Sequence, residues 1–322
     1  MKHFMLSTAI AVAVAGGAMA STLTADYTSF WVLGDSLSDN GNLFAATGGT
    51  TPSDPPYFEG RFSNGEVWNE PILEEFNAAG LASGNFAFGG ARTIGGEAPS
   101  LTDQQGLFAA NAAPFLGDTP LVSLWIGAND IFAGLDEGNA TEVAIEAANA
   151  VTDAAQALSG FGVEDFLILN LPDIGETPAY NLFQPDLADA ASEATAAYNL
   201  QLADNIADLE ADGLNVIDID VFSAFLDPSV FGASDTVLPC IFPSQAAADA
   251  FGQPLVCDEA TADERLFFDS VHPNTGAHAV LNGIVTDALS SDIVAPVPLP
   301  ATAPLALFGL AVLGLFGRRR AR

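Results

Sequence analysis

Phe30-Trp31-Val32-Leu33-Gly34-Asp35-Ser36-Leu37-Ser38-Asp39-Asn40-Gly41-Asn42 is an apolar run that stops at a glycine and turns polar at once. Residues 28–33 make a short strand with no polar face, as expected of a parallel sheet covered on both sides. Ser36 follows directly, with Gly34 relaxing the backbone ahead of it. A nucleophile can be held there, over the carboxyl edge of such a sheet. A serine in this place also serves as a turn or helix-cap residue, so its position alone does not decide its role.

Outward from that strand the same pattern repeats. Residues 85–88, 121–126, 166–171 and 214–219 are further short apolar runs, while 66–79, 141–158 and 186–211 read as helices. Strands alternating with helices predict right-handed crossovers and an α/β fold with a parallel sheet. In such sheets reactive groups gather beyond the carboxyl ends of the strands. Residues 220–264 break the rhythm with Pro, Gly and both cysteines, and are expected to form an excursion near that active face.

A serine hydroxyl needs a base. Outside the first twenty residues the histidines are His272 and His278. His272 stands three residues after Asp269 in Phe268-Asp269-Ser270-Val271-His272-Pro273-Asn274, a spacing that one tight turn converts into a carboxylate beside an imidazole. Ser, then Asp, then His is the chain order of a hydrolase triad, although no G-x-S-x-G surrounds Ser36. His278 reads as a helix-face residue behind the site. Asp35, Asp39 and Asn42 suggest a calcium loop only weakly, since Leu37 takes the second ligand position and no Glu follows at the required spacing. Two further stretches carry oxyanion chemistry. Trp125-Ile126-Gly127-Ala128-Asn129-Asp130 offers a side-chain amide after the third strand, and Asn85-Phe86-Ala87-Phe88-Gly89-Gly90 offers backbone N–H groups after the second.

Taken together, the blocks around Ser36, Gly90, Asn129 and His272 resemble, in order, those of the GDSL-type esterases and lipases of the SGNH hydrolase superfamily. Gly60-Arg61-Phe62-Ser63-Asn64-Gly65 and Asn170-Leu171-Pro172 resemble accessory motifs of its longer members. The resemblance implies a three-layer α/β/α sandwich with a flavodoxin-like sheet and cofactor-free ester hydrolysis through an acyl-enzyme. It makes Ser36 the nucleophile, His272 the general base and Asp269 the orienting acid. Asn129, Gly90 and the Ser36 N–H become the oxyanion donors, with Gly89 the alternative to Gly90. Acyl lipids are the first substrate expectation. Acetylated glycans are the alternative, and a catalytically silent binding protein of the same fold is a further one.

The chain ends need separate treatment. Residues 1–20 carry Lys2, an apolar run and Ala18-Met19-Ala20, the layout of a secretory signal peptide cleaved before Ser21. Export lets Cys240 and Cys257 form a disulfide, with two buried thiols as the alternative. In residues 296–322, Val297-Pro298-Leu299-Pro300-Ala301, an apolar stretch and Arg318-Arg319-Arg320 resemble the VPLPA-type relatives of PEP-CTERM sorting signals. That implies an exosortase-like protease as a partner, a plain membrane anchor being the alternative. The expected location is the periplasm, the cell surface or the medium. The enzyme domain is expected over 24–293, and 49% apolar residues supply its core. All 41 Asp and Glu fall between residues 21 and 295, against Arg61, Arg92 and Arg265 as the basic residues there. Nucleic-acid binding relies on Lys and Arg neutralising phosphates, so this body excludes it.

Overall fold

The computed structural model describes residues 23–293; the N-terminal leader and the C-terminal tail lie outside them. Strands β1 (Ser29–Gly34), β2 (Ala82–Asn85), β3 (Pro120–Trp125), β4 (Asp165–Leu169) and β5 (Asn215–Ile219) form one parallel sheet in the order β2-β1-β3-β4-β5. This is the flavodoxin-like order, and its direction reverses between β1 and β3. Both of those strands are buried at every residue, which is why they read as unbroken apolar runs.

The main helices are α1 (Glu70–Ala78), α2 (Leu101–Asn111), α3 (Ala128–Glu137), α4 (Ala140–Ser159), α5 (Ala188–Ala211) and α6 (Thr275–Ile293). Right-handed crossovers combined with the reversal put α1 and α6 on one face of the sheet and α2 to α5 on the other, giving three layers. Asn282 of α6 donates to the Trp68 carbonyl just ahead of α1 at 2.8 Å, tying the thinner layer together. On the opposite face α4 buries Ala144, Ala147, Ala148, Val151, Ala154 and Ala155 at helical spacing, and α5 buries Ala191, Ala194, Tyr198 and Leu202. Small side chains on both helices let them approach closely. Trp68 and Trp125 cross edge-on at 6.2 Å beneath the site.

Some expected boundaries move. The second strand is Ala82–Asn85 rather than 85–88, because β2 is a half-exposed edge strand of small and polar residues. The apolar signal came instead from Phe86, whose ring stacks on Trp31 at 6.2 Å. The first helix begins at Glu70 rather than residue 66, since Pro71 lacks an N–H and suits only the first turn. The fourth strand stops at Leu169. Helices α2 and α3 were not expected, although a capping box from Ser100 to Asp103 announces α2.

The excursion over 220–264 contains the short helices Val221–Leu226, Gln245–Ala250 and Glu259–Glu264, and its cysteines form the Cys240–Cys257 disulfide. Arg265 is buried under it, donating to the Pro239 carbonyl and, at 2.6 Å, to Gln253 Oε1. Among the described residues no helix is long and apolar enough to cross a membrane.

Candidate active site

Ser36 sits past the end of β1 at the reversal point of the sheet. Gln104 of α2 braces this end, accepting from Gly34 N–H at 2.8 Å and donating to its carbonyl at 2.8 Å. A Cβ on Gly34 would lie 2.6 Å from the Trp125 carbonyl oxygen, so only glycine lets β1 and β3 stay this close. The turn is then set by Asp39, whose carboxylate accepts the N–H groups of Gly41, Asn42, Leu43 and Gly89 at 2.6–3.1 Å. Both oxygens of this suspected calcium ligand are thus taken by backbone donors.

Residues 266–274 bring in the acid and the base on one closed turn. Asn274 N–H donates to the Leu266 carbonyl at 2.9 Å and Phe268 N–H to the His272 carbonyl at 2.8 Å. The block at 60–65 clamps this turn from outside. Ser63 Oγ donates to the Pro273 carbonyl at 3.0 Å, and Asn64 Oδ1 accepts from Thr275 N–H at 2.9 Å. Phe62 lies against the His272 ring with centroids 5.1 Å apart.

The result is a continuous chain. His272 Nδ1 is 2.7 Å from Asp269 Oδ2, and Nε2 is 2.8 Å from Ser36 Oγ. A carboxylate can only accept, so Nδ1 carries the proton and Nε2 accepts from the serine hydroxyl. Asp269 Oδ1 accepts the N–H groups of Val271 and His272 at 2.9 and 2.8 Å, which locks the carboxylate in place. Tyr57 was not singled out in the sequence, yet its hydroxyl donates to Asp269 Oδ2 at 2.7 Å. No spacing connects residues 212 positions apart, so nothing local could have revealed it.

Burial raises the Asp269 pKa, but the charge of His272 with the bonds from His272, Tyr57 and Val271 outweighs it and holds the group below its usual value. Burial likewise pushes His272 down, while the charge and hydrogen bond of Asp269, with Asp35 behind, bring it above the ordinary imidazole value. Asp35 is itself pushed up to about 7 by burial, against the opposing Leu37 N–H bond and the charge of His272. His278 lies on α6, fully buried as expected behind the site; burial and the nearby His272 lower it to about 3.

Gly90 and Asn129 both border a hollow shared with Ser36, Phe62 and His272. Gly90 has φ of 75°, a conformation that favours glycine. The Gly89 N–H is occupied by Asp39 at 2.8 Å, so of the two glycines it is Gly90 that faces the hollow. Asn129 Nδ2 donates to the Ala91 carbonyl at 2.9 Å, and Asp130 accepts both the N–H and the hydroxyl of Thr93 at 2.9–3.2 Å. These bonds tie the glycine loop to the start of α3. Asn170, in the second accessory block, accepts from Trp125 Nε1 through its carbonyl at 3.0 Å and so joins the ends of β3 and β4.

Beside this hollow, and sharing Phe132 and Val271 with it, lies an apolar cavity of about 300 Å³. Its walls include Leu37, Ala128, Val271 and Pro273, the immediate neighbours of Ser36, Asn129 and His272. The excursion supplies Phe225, Leu226, Thr236 and Val237.

A flavodoxin-like parallel sheet with Ser, His and Asp hydrogen-bonded over its reversal point is the arrangement of an SGNH-type serine hydrolase. Residues 31–283 match the GDSL-like Lipase/Acylhydrolase family, and the chain belongs to it, as an enzyme acting on ester bonds. A phosphatidylcholine-sterol acyltransferase of Aeromonas hydrophila is 32% identical over 297 residues, covering 78% of this chain and 87% of the relative. An acetylesterase of Thermothelomyces thermophilus is 27% identical, covering 89% and 98%. Among solved structures, LAE5, an alpha/beta hydrolase enzyme from the metagenome of Lake Arreo, superimposes with a TM-score of 0.47 at 17% identity, covering 82% and 95%. Residues 296–320 match the PEP-CTERM protein-sorting motif, which marks an exported protein and implies an exosortase-type processing system.

Proposed function

We propose that this protein hydrolyses carboxylic esters of acyl lipids through an acyl-enzyme on Ser36. The observation that carries the reading is the hydrogen-bonded chain from Ser36 Oγ through His272 to Asp269, with bonds of 2.8 and 2.7 Å. His272 Nε2 takes the serine proton as Oγ attacks the ester carbonyl, and Asp269 stabilises the imidazolium that forms. The carbonyl oxygen becomes an oxyanion in the hollow, where the Asn129 amide and the N–H groups of Gly90 and Ser36 receive it. His272 then returns the proton to the leaving alcohol. Water, deprotonated by the same imidazole, attacks the acyl-enzyme and releases the acid.

The adjoining apolar cavity favours an acyl chain over an acetyl group, because an acetyl methyl would leave it unfilled. At about 300 Å³ it lies at the small end of ligand pockets. Counting ~30 Å³ per methylene-sized group, the volume of one water, it takes roughly eight to ten carbons. Asp173 and Glu176 line it and no basic residue does, so an uncharged occupant suits it.

The test is a series of p-nitrophenyl esters from acetate to laurate, run beside phosphatidylcholine and acetylated xylan, with Ser36→Ala as the control. A maximum near octanoate that Ser36→Ala abolishes supports the reading. A maximum at acetate together with turnover of the xylan would make it a glycan esterase instead; the Thermothelomyces relative is named an acetylesterase. No turnover with any ester would leave a binding protein. We place the action outside the cytoplasm, at the cell surface or in the periplasm, after signal-peptide removal before Ser21. N-terminal sequencing and intact mass of the protein recovered from its host would report both cleavages.

A further inference from the structure

We propose that Tyr57 is a positioning residue of the site, holding the Asp269 carboxylate jointly with His272 and thereby keeping the imidazole basic at lower pH. The inference rests on the reading of His272 as the base. Its starting point is an oxygen shared by two donors. Asp269 Oδ2 accepts His272 Nδ1–H at 2.7 Å and Tyr57 O–H at 2.7 Å, while Oδ1 is filled by the N–H groups of Val271 and His272. The backbone bonds to Oδ1 orient the carboxylate. The tyrosine bond instead draws electron density from the very oxygen that faces the imidazole, and a hydrogen bond to the charged form stabilises that form without help from the histidine.

Tyr57 is not free to swing away. Its ring meets Phe268 edge-on at 5.5 Å and Phe62 edge-on at 6.0 Å, and Phe62 in turn covers His272. Tyr57 is half-buried, and its hydroxyl turns inward to a partner rather than to solvent. Here that partner is the one carboxylate bonded to the histidine. Burial, and after it the charge of Asp269, raises the tyrosine pKa, so it remains a donor throughout the working range.

The groups facing His272 show what this bond is for. Asp269 lies on its own turn, Asp35 comes from the end of β1, and His278 comes from α6. Both acids favour the imidazolium, which is useless as a base, and His278 is held neutral by burial. The Tyr57 dipole, aimed at Asp269, offsets part of that pull.

Tyr57→Phe removes the hydroxyl and keeps the ring and its packing. Among the described residues His272 and His278 are the histidines, and His278 is pushed down to about 3, so a ring titration by NMR above pH 5 follows His272. The resonance of His3, in the leader, is identified with His3→Gln. The expected result is a rise of the His272 pKa by about half a pH unit. The acid limb of kcat/KM should move upward with it, while the high-pH plateau changes little. Asp35→Asn should move the ring the other way, because it removes the negative charge that Asp35 gains as pH rises through about 7, rather than a donor. An unmoved or lowered ring pKa in Tyr57→Phe overturns the proposal and leaves Tyr57 as packing. So does a rise in both variants, which would report a general loosening. A raised ring pKa with an unmoved acid limb would uphold the action of Tyr57 on the imidazole and instead refute His272 as the base.

Discussion

Asn129→Ala separates an oxyanion donor from a strand-end tether, because the tether is a bond of the side chain to the glycine loop and the proposed oxyanion role is a second task of unequal size. Its amide nitrogen carries two N–H groups. One donates to the Ala91 carbonyl at 2.9 Å, and the side chain also borders the hollow containing Ser36, Gly90 and His272. Losing the tether removes a partly buried neutral hydrogen bond, worth ~1 kcal/mol of stability. In a chain of this size that lowers Tm by about 2–4 °C. In the proposed mechanism, losing the other N–H removes a donor to charge that appears only in the transition state. That costs ~10²–10³ in kcat, or about 3–4 kcal/mol of barrier. Steady-state kinetics on p-nitrophenyl butyrate, with a thermal melt of the same preparation, read both quantities. The expected outcome is a small fall in Tm, a fall in kcat of that order, and a KM that barely moves. Asn129→Asp should be at least as damaging, since it places an anion beside the developing one and sets a second acceptor against the Ala91 carbonyl. A lowered Tm with kcat nearly intact would refute the reasoning and leave Asn129 as a tether alone.

Other expectations follow from the cavity, the buried carboxylate and the disulfide. Thr236→Trp fills the cavity from the excursion side and should lower kcat/KM for p-nitrophenyl octanoate about tenfold, the value of one or two lost methylene contacts, while sparing the acetate; equal losses on both esters would count against an acyl site there. Asp35 has a folded pKa raised to about 7 from 3.8, so its contribution to stability is full below pH ~4 and is lost as pH rises through about 7. Asp35→Asn cannot ionise and should therefore flatten the fall in Tm between pH 5.5 and 8; an unchanged slope would show that Asp35 does not hold its proton. Replacing Cys240 and Cys257 by Ser opens a bridge spanning 17 residues and should cost about 3 kcal/mol in denaturant unfolding, with the excursion wall loosened as well. A change well under that figure would mean the reduced loop stays ordered without its bridge.

The parts of the fold that could be read in advance are those whose burial is complete. β1 and β3 are buried on both faces, and their unbroken apolar runs placed Ser36 and Asn129 past the ends of neighbouring strands. The alternation of elements pointed to the parallel sheet, the family resemblance supplied the three-layer sandwich, and Asp269 and His272 share one turn, so their spacing was informative. β2 was displaced because an edge strand of Ala, Ser, Gly and Asn carries no apolar signature, whereas the neighbouring Phe86 and Phe88 do. The choice between Gly89 and Gly90 depends on where Asp39, fifty residues earlier, spends its second oxygen, and local spacing holds no trace of that. Tyr57 and the cavity stayed hidden for the same reason: each is assembled from segments that meet only when the chain is folded.

The scarcity of cations has a practical consequence for anyone handling the folded protein. Residues 23–293 contain no lysine, so trypsin has three possible cleavage points there: after Arg61, Arg92 and Arg265. Arg265 is 3% exposed, and the Arg61 guanidinium is held by Glu70 at 3.1 Å, so neither side chain is free to enter a protease's specificity pocket. Arg92 is half-buried, with its carbonyl accepting from Leu101 N–H at 2.9 Å, and it stands two residues beyond Gly90, on the loop that Asn129 and Asp130 pin to α3, so cleavage after it requires that loop to open. Limited tryptic digestion of the body therefore becomes a single-site reporter. The rate of the nick after Arg92 measures how often that loop opens, and an ester analogue seated on Ser36 should slow it.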